Sequence, residues 1–122
     1  MPHQLPHDHG QNVAPLLAGL PHTEDFQALA SLFRQLSDGS RLRLFWLLCH
    51  CEECVTNLSA MMSMSSPALC HHLRQLKLAG LIVSRRDGKE VYYKAAPTSE
   101  AAALHDSMDQ LMAIACPTAA HK

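Results

Sequence analysis

The stretch from Ser65 to Lys94 constrains the fold more than any other, because its element boundaries are marked by Pro and Gly. Pro67 suits the first turn of a helix, where its missing N–H costs little, and Leu69, Leu73 and Leu76 then recur on one face. Gly80 is placed to end that helix near Ala79. Two strand-like runs follow, Leu81–Arg85 and Glu90–Lys94, and the Asp87-Gly88 between them is a strong hairpin signal. Upstream, a short helix over about 54–62 buries Val55, Leu58 and Met61, and Ser63-Met64-Ser65-Ser66 breaks it.

Helix, short turn, helix and basic hairpin, in that order, predict a winged helix-turn-helix. The fold class is mainly α with a small β-hairpin. Two further helices precede the motif. One covers about 24–36 with Thr23 as N-cap and Phe26, Leu29, Ala30, Phe33 and Leu36 on one face; the other runs from Arg41 to Leu48 after a turn at residues 37–40. A last helix over about 98–115 lines up Ala101, Leu104, Met108, Leu111 and Ala115. Residues 1–22, with four prolines and His3, His7, His9 and His22, read as a flexible His-rich arm. The expected organisation is thus an arm (1–22), a DNA-binding and dimerisation domain (23–116) and a tail (117–122). At 122 residues a single domain is small, and pairing is a common source of added stability. No apolar run is long enough for a membrane span. The N-terminus lacks the basic and apolar regions of a secretory signal, so a cytoplasmic protein is expected.

The net charge of −1 hides an uneven distribution. Residues 1–40 carry −3, residues 41–70 balance, residues 71–94 carry +4 and the remainder −2. A basic stretch that coincides with the second motif helix and hairpin marks a double-stranded DNA partner. On the helix, the outward positions are Ser65, Ser66, Ala68, Cys70, His71, Arg74 and Gln75. Arg and Gln suit bidentate contacts to guanine and adenine, and Ser reaches bases or phosphates. Arg85, Arg86 and Lys89 on the hairpin would meet phosphates, which orient without specifying sequence.

Four segments together resemble the ArsR/SmtB family of metal-responsive repressors. They are Leu36-Ser-Asp-Gly-Ser-Arg-Leu-Arg-Leu-Phe45, Cys54-Val-Thr-Asn-Leu-Ser59, Ser65-Ser-Pro-Ala-Leu-Cys-His-His-Leu-Arg-Gln-Leu-Lys-Leu-Ala-Gly-Leu81 and Arg85-Arg-Asp-Gly-Lys-Glu-Val-Tyr-Tyr-Lys94. The resemblance covers roughly residues 26–115. It implies a homodimer, joined through the first and last helices, that represses its own operon and leaves the operator when metal binds. The family usually has a second Ser in the recognition helix where this chain has Cys70.

Three of the five cysteines, Cys49, Cys51 and Cys54, fall within six residues, and nine histidines accompany them. A cytoplasmic chain keeps its thiols reduced, so metal binding is the more natural use of such a cluster. Many proteins of the resembled family carry Cys-x-Cys where this chain has Cys54-Val55-Thr56. Cys49 and Cys51 are placed to replace the missing thiolate, and His3, His7 and His9 on the arm to complete the set. Cys116, near the chain's end, is a further candidate that would reach the cluster of the partner chain. Thiolate-rich sites favour cadmium, lead, zinc or arsenite as inducer. Cys49, beside Leu and Trp, has a second and weaker reading as a small buried hydrophobe. His71 and His72 read as structural or DNA-facing, His50 is assigned no role, and His105, Asp106 and Asp109 read as a solvated helix face.

Two other classes compete. The three clustered cysteines suit a thiol redox-sensing repressor of the same fold. A metalloenzyme or sequestering protein is disfavoured by the absence of His-Glu-x-x-His, a Gly-rich phosphate loop or Gly-x-Ser-x-Gly.

Overall fold

A computed structural model describes residues 5–116, and the elements run α1 (Ala14–Ala18), α2 (Thr23–Gln35), α3 (Gly39–His50), β1 (Glu53–Cys54), α4 (Val55–Met62), α5 (Ser66–Leu78), β2 (Ile82–Asp87), β3 (Glu90–Ala95) and α6 (Ser99–Ala115). This is the winged helix-turn-helix expected from the sequence, with α4 and α5 as the motif and β2–β3 as the wing. By its backbone contacts the chain divides into Met1–Phe33 and Arg34–Lys122. In the first unit, α1 falls inside the arm that was expected to lack regular structure, and Asp25 Oδ2 accepts from the His22 N–H at 3.0 Å where α2 begins. Phe26, Leu29 and Phe33 stay exposed along α2.

In the second unit α3, α5 and α6 are each started by a short polar side chain, whereas α4 starts from Cys54 without a side-chain cap bond. Asp38 caps α3 by accepting from Arg41 N–H, Ser65 caps α5 by accepting from Ala68 N–H, and Thr98 caps α6 by accepting from Ala101 N–H. Each bond satisfies one of the orphan donors of a first turn. Pro67 falls in the first turn of α5 as expected. Gly80, at φ +76°, follows the C-cap residue Ala79; its N–H donates to Lys77 O and that of Leu81 to Leu76 O, both at 3.0 Å. That is a Schellman end, and its customary apolar contact is available because Leu76 and Leu81 are both buried.

The sheet has three strands in the order β1-β3-β2, all antiparallel. Asp87 pairs with Glu90, so the turn is Gly88-Lys89, one residue later than the Asp-Gly signal suggested, with Gly88 at φ +64°. The third strand, β1, was not expected; its Glu53 and Cys54 face Tyr93 and Tyr92. Leu44, Phe45 and Leu48 of α3, Leu58 and Met62 of α4, Leu69, Leu73 and Leu76 of α5, and Leu81 and Ile82 form the core. Each such side chain contributes about 1.5–3 kcal/mol by leaving water. Helix α4 buries Met62 rather than the expected Met61, which is 40% exposed. No helix among the described residues is long and apolar enough to cross a membrane.

Candidate nucleic-acid interface and metal ligands

Because Leu69, Leu73 and Leu76 point inward, the opposite side of α5 presents Ser66, Ala68, His71 and Arg74, all exposed. Gln75 is half-buried. Ser65 is exposed; its oxygen is occupied as a cap at 3.3 Å, but its hydroxyl proton remains available. Ser66 Oγ lies 3.2 Å from Ser59 Oγ, a bond that ties the start of the recognition helix to α4. Cys70, expected among the outward positions, is half-buried instead. With Leu73, Arg74, Lys77 and Tyr93 it lines a cleft of about 300 Å³ between α5 and the sheet.

The wing separates three cations that looked alike in the sequence. Arg85 is engaged by Glu52, with Nε and Nη2 donating at 2.9 and 3.0 Å, and it stacks 4.8 Å above the Tyr92 ring. The bond to Arg85 holds the Glu52 carboxyl below its ordinary range, and Glu52 in turn raises Arg85. Arg86 and Lys89 are exposed, and neither forms an ion pair among the described residues. Lys77, not singled out by sequence reasoning, donates from Nζ to Ser84 Oγ at 2.7 Å and fastens α5 to the wing.

His72 has a structural role. Arg41 Nε–H donates to its Nδ1 at 3.2 Å, while Arg41 Nη1 donates to the carbonyl and side-chain oxygens of Gln35, both at 3.0 Å. Burial, opposed by Asp38 and assisted by Arg41, lowers the His72 pKa. The ring is thereby kept neutral and able to accept. The backbone N–H of Arg41 holds the Asp38 carboxyl below its ordinary range. His71, by contrast, is exposed.

The clustered cysteines take up three different situations. Cys49 is half-buried near the end of α3 and lines a second cleft of about 420 Å³ with Ala101, His105 and Asp106. Burial, and secondarily Asp109, push its thiol up to about 11. Cys51 is the C-cap of α3, and its thiol donates back to Leu47 O at 3.3 Å; burial, then Glu53, raises its pKa as well. Cys54 is buried in β1 and is the N-cap residue of α4. Cys116, at the end of α6, is exposed. Among the described residues no three His, Cys, Asp or Glu side chains surround one point as they would a bound ion. His7 and His9, in the first unit, are exposed with their rings stacked 5.9 Å apart, and His3 lies outside the described residues.

One cluster was missed by sequence reasoning. His50, at the end of α3, meets His105 of α6 with their Nε2 atoms 2.9 Å apart. Trp46 Nε1–H donates to Asp109 Oδ1 at 3.1 Å beside them. Both contacts cross more than fifty residues of chain, so no local spacing could signal them.

Comparison with known proteins follows the same outline. The family model described as bacterial regulatory protein, arsR family, matches residues 38–84, from the cap of α3 into β2. A transcriptional repressor SmtB homolog of a Synechocystis species is 44% identical over 70 residues, 57% of this chain and 53% of that protein. The cadmium resistance transcriptional regulatory protein CadC of Listeria innocua is 37% identical over 70 residues, 57% of this chain and 59% of that one. The chain therefore spans between half and three fifths of the length of these curated relatives. Among solved structures, the transcriptional regulator HlyU of Vibrio vulnificus superposes with a TM-score of 0.62 at 29% identity, covering 72% of this chain and 92% of that one.

Proposed function

From a chain that belongs to the arsR family of bacterial regulatory proteins, a family of regulators and not of enzymes, we propose a metal-sensing transcriptional repressor. It binds operator DNA as a homodimer and is released by a thiophilic ion (cadmium, lead, zinc or arsenite). The observation that carries this reading is the position of Cys54. It pairs with Tyr92 of the wing and is also the residue from which the helix-turn-helix starts. Its side chain is 8% exposed, so an ion that recruits it must pull the β1 segment out of its present packing. Such a movement acts on α4 and on β3 at once, and hence on both DNA-contacting elements.

In this account α5 enters the major groove with Ser65, Ser66, Ala68, His71, Arg74 and Gln75 towards the bases, while Arg86 and Lys89 meet phosphates. Cys70 and Arg85 belong to its flanks, one facing the wing cleft and the other held by Glu52. Cys51 and Cys54 take the ion, and Cys49, Cys116 and the arm histidines His3, His7 and His9 are the groups that complete its shell, across the dimer where one chain does not supply enough. The names of the relatives, one a cadmium resistance regulator, support a metal inducer. A second copy would cover the apolar side chains that α2 and α6 each leave exposed. A redox sensor of the same fold is disfavoured because burial raises the thiol pKa of Cys49, to about 11, and that of Cys51, and the thiol is a far poorer nucleophile than the thiolate. Metal binding must displace those protons, so affinity rises with pH. Cys54→Ser should keep the operator affinity of the reduced protein and lose release by cadmium, measured by fluorescence anisotropy; a variant that still releases normally removes Cys54 from the site.

A further inference from the structure

We infer that the Glu52–Arg85 ion pair is a salt-sensitive latch that keeps the Cys54 thiol buried, by pinning β1 to the wing across β3. In the antiparallel register Cys54 faces Tyr92 and Tyr92 faces Arg85. Residues paired in this way share one face of a sheet, so thiol, phenol ring and guanidinium stand in one row. Arg85 folds back along that row. Its guanidinium carbon lies 4.8 Å from the centre of the Tyr92 ring, and its Nε and Nη2 donate to the two carboxylate oxygens of Glu52 at 2.9 and 3.0 Å. A side chain of β2 thereby reaches over β3 to the segment that leads into β1. Arg86, one residue further along β2, points to the opposite face and cannot take that place.

A strand of two residues, β1 is too short to hold itself by its ladder, since strands ordinarily run to about 3–10 residues. Its other side-chain ties do not reach the sheet. Glu53 Oε1 accepts from the Cys54 N–H at 3.2 Å and from Asn57 Nδ2 at 2.8 Å, both within the stretch that would lift away together. The Cys51 thiol donates to Leu47 O, back towards α3. Among the described residues, Glu52 is thus the one side chain of residues 51–54 that is hydrogen-bonded to the wing. Lys94 adds to the pull on Glu52, and Asp87, with Oδ2 3.7 Å from Arg85 Nη1, competes for the guanidinium. The pair itself meets solvent, with side chains 52% and 30% exposed, whereas the thiol beneath it is 8% exposed. Salt screens an exposed pair far more than a buried contact. Ionic strength therefore sets how often β1 lifts and offers its thiol. The latch is independent of what then takes the thiol, and stands whether or not an ion is its user.

Alkylation of the reduced, metal-free full chain by iodoacetamide, followed residue by residue by peptide mass spectrometry, counts the openings. A buried thiol reacts in proportion to its open population, and the exposed Cys116 is the internal standard. Glu52→Gln and Arg85→Gln should each speed Cys54 labelling by about three- to fivefold, as loss of a good surface pair does. The double variant should go no faster than either single one. Added sodium chloride should speed Cys54 labelling in the wild type and leave Glu52→Gln unmoved, a response that mere structural damage does not produce. Unchanged Cys54 labelling in Glu52→Gln overturns the latch. So does an acceleration that Cys49 and Cys70 share equally, which reports general loosening of the fold, or a double variant in which the two effects simply add.

Discussion

Helices α5 and α6 begin alike and end differently. Each starts on a hydroxyl cap, Ser65 or Thr98, and each carries an apolar stripe at helical spacing. Helix α5 buries its stripe completely, at Leu69, Leu73 and Leu76, and is closed by the Gly80 Schellman turn. Helix α6 buries only Ala101 and Met108, and its second half leaves Leu111 at 64% and Ile114 at 78% exposure. The first is finished within one chain; the second leaves apolar side chains uncovered. In the proposed homodimer a second copy covers them, so that one helix would report on folding and the other on assembly.

The largest expected effect falls on the finished helix. Leu73→Ala removes a side chain 2% exposed and should cost about 2–5 kcal/mol in urea unfolding, whereas Leu111→Ala should change the stability of the isolated chain by less than about 0.5 kcal/mol. Equal losses would erase the contrast. Ile114→Asp should instead act on assembly, weakening the dimer by about 2 kcal/mol, roughly thirtyfold in Kd by sedimentation equilibrium, with circular dichroism unchanged.

Smaller effects sharpen the division of labour within the DNA-facing side. Arg86→Ala should lower the salt slope of duplex binding by about one, as loss of a phosphate contact does. Arg85→Ala should lower it less, because Glu52 already neutralises Arg85. The smallest effect is a pH dependence at the middle of α5. The folded-state pKa of His72 lies below its ordinary 6.5, so the unfolded chain binds this proton more readily. Stability is therefore full above about pH 6.5 and declines as pH falls from there through the folded-state value. Thermal melts at pH 7.5 and 5.5 should show the drop in the wild type and a smaller one in His72→Gln.

Much of α5 and the wing was legible because the signals there are local. Pro67, Gly80 and Gly88 mark backbone positions, although the turn proved to be Gly88-Lys89, and three leucines fix which face goes inward. The inward face of α4 was misjudged by one residue because Met61 and Met62 lie three and four residues after Leu58, both helical spacings, and the chain buries the second; Cys54, expected to begin that helix, belongs to β1. That strand is two residues long and exists through pairing with β3, which no window of sequence contains. The cysteines show the same limit. Cys49, Cys51 and Cys54 are neighbours in sequence, yet one lines a cleft with α6, one bonds back to its own helix and one is buried in the sheet. Conversely, His50 and His105 are distant in sequence and meet because α6 lies against the end of α3.

The most direct test compares one protein in two states on one duplex. Reduced, metal-stripped chain and chain loaded with one equivalent of cadmium are titrated against a labelled promoter fragment at a single fixed salt concentration. Coupling of the usual size, about 1–3 kcal/mol, predicts that loading raises the dissociation constant by roughly 5–150-fold. Coincident curves for the two states would contradict a metal-released repressor.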